Sequence, residues 1–274
     1  PYTLILSGDH IYRMNYAHML KHHVENRADI TIGVVPMPVE TASEFGIIMA
    51  DRNMEVIGFQ EKPKENPVTM PHDPTKVLVS MGIYAFNTET LIMQLIEDAK
   101  RKDSSHDFGK DIIPKMVQGG NKVIAYNFRG IGGNSYWRDI GTLDAYYEAH
   151  MDLVSVTPQC NLYDPTWPIH TVYSPYPPAK MVFSGGDDGR RIGTVLDSII
   201  CNGAIISGGK VSRTIISPNV RVNSYAEVLD SVLMEGVSVG RNCRIKNAII
   251  DKYVKIPPNT TIGYDLEEDR KKYD

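Results

Sequence analysis

Aliphatic residues in the last third of the chain recur every six positions, and this spacing restricts the fold more than any other feature of the sequence. Ile216, Val222 and Val228 form one triplet, Leu233, Val239 and Ile245 a second, and Ile250, Ile256 and Ile262 a third. Their first members stand at 216, 233 and 250, so the triplets themselves repeat at 17 residues. An earlier turn, Ile200, Ile206 and Val211, joins the series with one residue of slippage. A period of six suits neither the two-residue alternation of a strand nor the turn of a helix. Three apolar corners per turn describe a triangular prism, a parallel β-helix whose turns bury their corners only against their neighbours.

Residues 1 to about 150 are organised differently. Residues 3–6 are an apolar run ending at Ser7-Gly8-Asp9. Asn15 then caps a helix in which Tyr16, Met19, Leu20 and Val24 recur at helical spacing. The β-branched run 30–35, the paired stretches 45–50 and 55–60, and residues 79–86 read as strands. A helix follows with Leu91, Ile92, Leu95, Ile96 and Ala99 on one face. Such alternation predicts an α/β sheet with helices on both faces, whose ligands bind at the carboxyl ends of strands, where Asp9 falls. Residues 157–189 are rich in proline, tyrosine and glycine. Trp167, Val172, Tyr173 and Phe183 make them read as an ordered linker. The expected division is a domain over 1–156, a linker over 157–190 and the β-helix over 191–274.

The formal net charge of −4 gives no general attraction for nucleic acid. No apolar run is long enough to cross a bilayer. Cys160, Cys201 and Cys243 lie far apart and form no CxxC pair, which argues against a zinc site or a disulfide framework and fits a reducing cytoplasm. The chain opens Pro1-Tyr2-Thr3-Leu4-Ile5-Leu6, without methionine and already inside a strand, so further residues are expected upstream.

Three stretches carry candidate chemistry. In Ser7-Gly8-Asp9 a carboxylate follows a strand and a glycine that allows close backbone approach. This suits a magnesium ligand beneath phosphates, although a turn aspartate bonding its own backbone fits the tripeptide equally. Asp139, within Tyr136-Trp137-Arg138-Asp139-Ile140-Gly141-Thr142, is the expected distant partner of Asp9. Taken alone, an ion pair at the start of a helix capped by Thr142 explains it better. In Phe59-Gln60-Glu61-Lys62-Pro63, Lys62 offers a compact charge for a phosphate and Glu61 an acceptor for sugar hydroxyls; an exposed acid–base pair entering a turn does as well. His18 and His22 have metal-pair spacing but no intervening glutamate, and with His23 beside them they read as a solvated helix face. Gly130-Ile131-Gly132-Gly133 lacks a following Lys-Ser/Thr and reads as a flexible loop. Ser104-Ser105-His106-Asp107 reads as the cap of a helix over 108–117 rather than a catalytic triad.

Taken in order, Ser7-Gly8-Asp9-His10-Ile11-Tyr12, Glu44-Phe45-Gly46, Glu61-Lys62-Pro63, Ser80-Met81-Gly82-Ile83-Tyr84, Ser105-His106-Asp107-Phe108-Gly109-Lys110-Asp111-Ile112-Ile113-Pro114 and the stretch from Tyr136 to Thr142 resemble bacterial glucose-1-phosphate adenylyltransferases. The resemblance runs along essentially the whole chain. It implies an α/β, Rossmann-like nucleotidyltransferase domain, incomplete at its N-terminus, followed by a left-handed parallel β-helix. It also implies that Asp9 and Asp139 are the catalytic, Mg2+-binding pair and that Gly46, Glu61, Lys62 and Ser80 hold glucose 1-phosphate. The implied reaction is ATP plus glucose 1-phosphate giving ADP-glucose and pyrophosphate for glycogen synthesis, in a cytoplasmic homotetramer. Neither nucleic acid nor membrane is an expected partner. The family's N-terminal glycine-rich loop for the ATP phosphates is missing, as is the family's sugar-phosphate-contacting tyrosine upstream of the Ser7-Gly8-Asp9 motif, so the segment alone is not expected to turn over.

Three rivals stand beside this reading. Another sugar-1-phosphate nucleotidyltransferase shares most of these motifs, but the block from Ser105 to Pro114 favours the adenylyl enzyme. A non-catalytic regulatory subunit has no need of Asp9, Lys62 and Asp139. A hexapeptide acyltransferase usually needs a histidine among its coils, and none occurs between Ile192 and Asp274.

Overall fold

In the computed structural model, which describes residues 1–129, 135–185 and 191–273, aliphatic and β-branched runs form a six-stranded mixed sheet in the first of two units, Pro1–Asp139. The strands of this unit are β1 (Tyr2–Ile5), β2 (His10–Tyr12), β3 (Ile30–Pro38), β4 (Gly46–Ala50), β5 (Val56–Glu61), β6 (Lys76–Asn87), β7 (Val123–Asn127) and β8 (Trp137–Asp139). Its helices are α1 (Tyr16–Glu25), α2 (Thr88–Ala99) and α3 (Ile113–Gln118). The sheet order is β5-β4-β6-β3-β7, with β1 antiparallel to β6. β2 and β8 form a separate antiparallel pair. Gly130-Ile131-Gly132-Gly133 lies outside the described residues.

β6 positions the site. On one edge β4 meets it at Val79 and β1 takes over at Tyr84, so Ser80 and Gly82 lie between the two pairings. On its other edge the register with β3 shifts between Ile32 and Val34, opposite Tyr84 and Ser80. The strand is thereby loosened from its ladder at residues 81–83, where Gly82 takes a positive φ of 64°. Alternate residues of β6 enter two cores. Val79, Met81 and Ile83 pack in a cluster with Met19 of α1 and with Trp137. Leu78, Tyr84 and Phe86 pack in a cluster with Leu91 of α2 and with Ile113 and Met116 of α3. Helices on both faces of an α/β sheet, as expected, are the result.

Two helical faces differ from the sequence reading. α1 starts at the Asn15 cap, whose Oδ1 accepts from Ala17 N. Its buried residues are Met19 and His23, while Val24 is exposed. His23 is therefore no part of a solvated face: burial holds its pKa below the usual histidine value, and Nδ1 lies 2.8 Å from Thr31 Oγ1. α2 buries Leu91 and Asp98 and exposes Ile92, Leu95, Ile96 and Ala99. A polar residue can occupy the inward position because Ser104 Oγ bonds the Asp98 carboxylate at 2.7 Å and His106 Nδ1 lies 2.7 Å from it. Asp107 caps as expected, accepting from Gly109 N and Lys110 N, but the helix opens as a π-turn over Phe108–Ile112 before α3.

The second unit, Ile140–Asp274, begins with α4 (Leu143–Leu153), capped by Thr142 Oγ1 accepting from Ala145 N. The Tyr147 hydroxyl donates to Asp230 O, so by packing α4 belongs with the β-helix rather than with residues 1–139. The three apolar corners stack in register: Ile200, Ile216, Leu233 and Ile250; Ile206, Val222, Val239 and Ile256; Val211, Val228, Ile245 and Ile262. Every rung pairing is parallel, as a coil that advances one turn at a time requires. The solenoid begins earlier than 191, because Lys180–Val182 in the supposed linker pairs with Ile205–Ser207. Within the rest of that segment Val172 and Tyr173 are exposed and therefore do not anchor it.

Candidate active site

Two short antiparallel strands set the acidic end of the site. The register of β2 and β8 places His10 directly opposite Asp139 and Tyr12 opposite Trp137. Asp9 precedes β2, so its carboxylate comes to the same end. His10 Nε2 lies 3.7 Å from Asp9 Oδ1 and 3.7 Å from Asp139 Oδ2. Among the described residues one group of His, Cys, Asp or Glu side chains converges closely enough to share a metal ion. It is Asp9, His10 and Asp139, with ligand atoms all within 4.8 Å of one another. Two carboxylates and an imidazole are a fitting donor set for a divalent cation.

A cleft of roughly 340 Å³ opens beside this group, a volume that suits a small ligand. Gly46, Glu61, Lys62, Ser80 and Asp139 all line it, with Asp9 reached through its neighbour His10. The structure thus gathers all six residues singled out from the sequence. Glu61 stands opposite Gly46 in the β4–β5 ladder. A Cβ at position 46 would collide with the Phe59 ring and come within 3.2 Å of Glu61 Oε2, so glycine leaves room for these two side chains at the cleft. Lys62 follows with a φ of 45°, a left-handed conformation rare for lysine, and its N–H donates to Phe45 O. The turn carries the backbone sharply out of β5 at the cleft wall.

Burial, then the nearby charge of Asp107, raises the Glu61 pKa above the usual glutamate value, with Lys62 and Lys110 opposing the shift. Burial likewise raises Tyr84, against a hydrogen bond with Ser80. An acid that holds its proton more tightly, beside a second acid and a phenol, is an environment suited to polyhydroxyl recognition.

Other residues that line the cleft were assigned no ligand role from the sequence, among them His10, Tyr84, Asp107, Phe108 and Trp137. Strand alternation carries the signal for two of them. Trp137 shares a face of β8 with Asp139, and Tyr84 follows Ser80 and Gly82 at two-residue steps along β6. Asp107 was legible as a cap, yet its arrival beside Glu61 depends on the buried tether of Asp98 to Ser104 and His106.

Residues 1–156 match the nucleotidyl transferase family, and residues 177–274 match the family described as GlmU-like, C-terminal hexapeptide. The chain is similar to a glucose-1-phosphate adenylyltransferase of Anaeromyxobacter sp. (strain Fw109-5), at 49% identity over 99% of this chain and 67% of that protein. It is similar to those of Koribacter versatilis (strain Ellin345), at 51% identity over 99% of this chain and 65% of the relative, and Methylococcus capsulatus (strain ATCC 33009 / NCIMB 11132 / Bath), at 48% over 99% and 63%. The chain therefore spans about two thirds of the length of these relatives. Among the described residues no helix is long and apolar enough to cross a membrane.

Proposed function

The chain belongs to the glucose-1-phosphate adenylyltransferase family, and from that premise we propose that it forms the sugar-phosphate and metal side of an enzyme transferring AMP from ATP to glucose 1-phosphate. The observation that carries this reading is the convergence of Lys62, Glu61 and Ser80 with Asp139 on one cleft of the first unit. Lys62 holds the phosphate as a compact charge at the cleft wall. Glu61 and Asp107 accept from sugar hydroxyls, and the Tyr84 and Ser80 hydroxyls extend the same polar wall. Trp137 and Phe59 provide apolar faces that exclude water and orient the sugar ring.

The attacking group needs no base. A sugar phosphate has its second pKa at about 6, so its oxygen is largely ionised at neutral pH. That oxygen forms a bond to the α-phosphorus of ATP, the bond from the α-phosphorus to the β-phosphate bridge breaks, and its electron pair leaves with pyrophosphate. The products are ADP-glucose and pyrophosphate, and no proton is transferred. The chain's contribution is alignment and charge placement, which are the main requirements of phosphoryl transfer. Asp9 and Asp139 would hold a divalent cation, magnesium on this reading, which would supply positive charge for the phosphates.

Calorimetric titration of the chain with glucose 1-phosphate tests the cleft directly. Lys62→Ala is expected to weaken binding by about 10- to 100-fold, the scale of a charge-assisted hydrogen bond worth ~1.5–3 kcal/mol. Unchanged affinity would remove Lys62 from the phosphate site. With the family's glycine-rich loop for the ATP phosphates joined upstream of this chain, pyrophosphate release measured with ATP, GTP and UTP in turn identifies the nucleotide; a preference for GTP or UTP overturns the adenylyl assignment.

A further inference from the structure

His10 lies between the two carboxylates assigned above to the cation, and its surroundings fix how its ring can act. β2 sets it opposite Asp139, and its side chain is only 11% exposed. Nδ1 lies 2.9 Å from Met81 O, and a carbonyl only accepts, so this nitrogen carries the ring proton. Met81 O faces the histidine from the stretch of β6 where the register with β3 breaks. The Trp137 indole N–H is also aimed at this nitrogen, at 3.3 Å; the Met81 contact is the shorter of the two and sets the tautomer, while the indole meets the imidazole edge-on, with ring centroids 5.1 Å apart. Phe45 in turn packs edge-on against Trp137. The ring is therefore held on one side by a carbonyl and on another by an aromatic wall, with Nε2 presented to Asp9 and Asp139.

We propose that His10 Nε2 is a third protein ligand of the divalent cation held by Asp9 and Asp139. The proposal rests on the reading of those two aspartates as the metal pair. A metal-binding histidine characteristically gives its other N–H to a carbonyl or carboxylate, which fixes the tautomer and aims the lone pair, and Met81 O occupies that position here. The separations also fit. Around an octahedral cation with bonds of about 2.1 Å, neighbouring ligand atoms stand ~3 Å apart and opposite ones ~4.2 Å. Nε2 is 3.7 Å from each carboxylate oxygen and all three atoms lie within 4.8 Å of one another, so with the two carboxylates at opposite positions and Nε2 beside both, contraction by less than about 1 Å brings them onto one ion. A nitrogen ligand has a chemical consequence: it favours Mn2+ and Co2+ over Mg2+, which prefers an all-oxygen shell.

The test is pulsed electron paramagnetic resonance of Mn2+ added to the intact chain, with binding measured by the loss of the free-ion signal. The expected result is a 14N modulation from a directly bound imidazole nitrogen, lost in His10→Asn, together with Mn2+ affinity at least ~10-fold weaker in that variant and Mg2+ affinity changed much less. Asp139→Asn should abolish binding altogether. If Mn2+ binds, Asp139→Asn removes it, and the unaltered chain gives no 14N coupling, His10 is not a ligand while the carboxylate site stands. Coupling that survives His10→Asn also overturns the assignment. If Asp139→Asn binds Mn2+ as well as the unaltered chain, the metal reading itself fails. The spectrum of the unaltered chain decides the ligand question even if a variant does not fold.

Discussion

Glu61 and Lys62 are adjacent residues held in conditions that neither prefers. Glu61 is partly buried next to Asp107, and Lys62 occupies a left-handed backbone conformation of the kind that costs about 1–3 kcal/mol. Such costs concentrate where a ligand later repays them. The pH dependence follows from the raised Glu61 pKa. The folded chain holds this proton more tightly than the unfolded one, so the residue's contribution to stability falls as pH rises from the ordinary glutamate value of about 4.3 through the raised folded value. Glu61→Gln removes the penalty. Its melting temperature should exceed that of the unaltered chain at pH 7 and match it near pH 3, while glucose 1-phosphate binding weakens by about 10-fold, the scale of one hydrogen bond to a charged group. A variant that melts lower at pH 7 would show that Glu61 is satisfied rather than strained. At this scale the sequence marked Glu61 and Lys62 as a pair, since their types suit phosphate and hydroxyl recognition. It could not mark the left-handed turn at Lys62, because nothing about lysine predicts a positive φ.

One element that shapes the cleft hangs from a carboxylate outside it. Asp98, on the buried side of α2, accepts from Ser104 Oγ and meets His106 Nδ1, while Asp111 Oδ2 accepts from Ser105 Oγ, Ser105 N and Asp107 N. These bonds fix the loop that delivers Asp107 and Phe108 to the cleft. The hydrogen bond from Ser104, then that from His106, holds the Asp98 pKa below the usual aspartate value. A depressed acid stabilises the fold fully above its unfolded value of about 3.9 and loses that contribution as pH falls through the folded value. The stability that the unaltered chain has over Asp98→Asn should therefore be present above about pH 4 and shrink below it. A difference independent of pH down to 2.5 would mean that the carboxylate's charge is not what holds the loop. Such a tether explains why the buried face of α2 is not its apolar stripe. Leu91, Ile92, Leu95 and Ile96 look like a buried stripe, but the loop's hydroxyl and imidazole made an aspartate the better inward residue. Periodicity counts apolar side chains and has no access to partners that arrive six and eight residues later by loop closure.

Across the whole molecule the two units differ in how much of their design is local. In the β-helix each corner residue meets its equivalent one turn away, so a short repeat in the chain becomes a stack in space. The expected slippage appears as the pairing of Ile200 with Ile216, one residue short of the 17 that separate later rungs. In the first unit the cleft joins residues as distant as His10 and Trp137, and only their spatial pairing reveals the second as a wall of the first's site. Stability should follow the same contrast. A solenoid is held by nearest-neighbour interfaces, so an interior rung has two and a terminal rung one. Leu233 is fully buried between Ile216 and Ile250, whereas Ile262 ends its stack beyond Ile245 and is only partly buried. Leu233→Ala should cost about 2–5 kcal/mol, the usual range for a buried leucine that leaves a cavity. Ile262→Ala should cost clearly less, because it loses contacts on one side and water can fill the space. Urea denaturation of the two variants measures both values, and equal costs would mean that the terminal rung is covered by more of the chain than its single stacked neighbour.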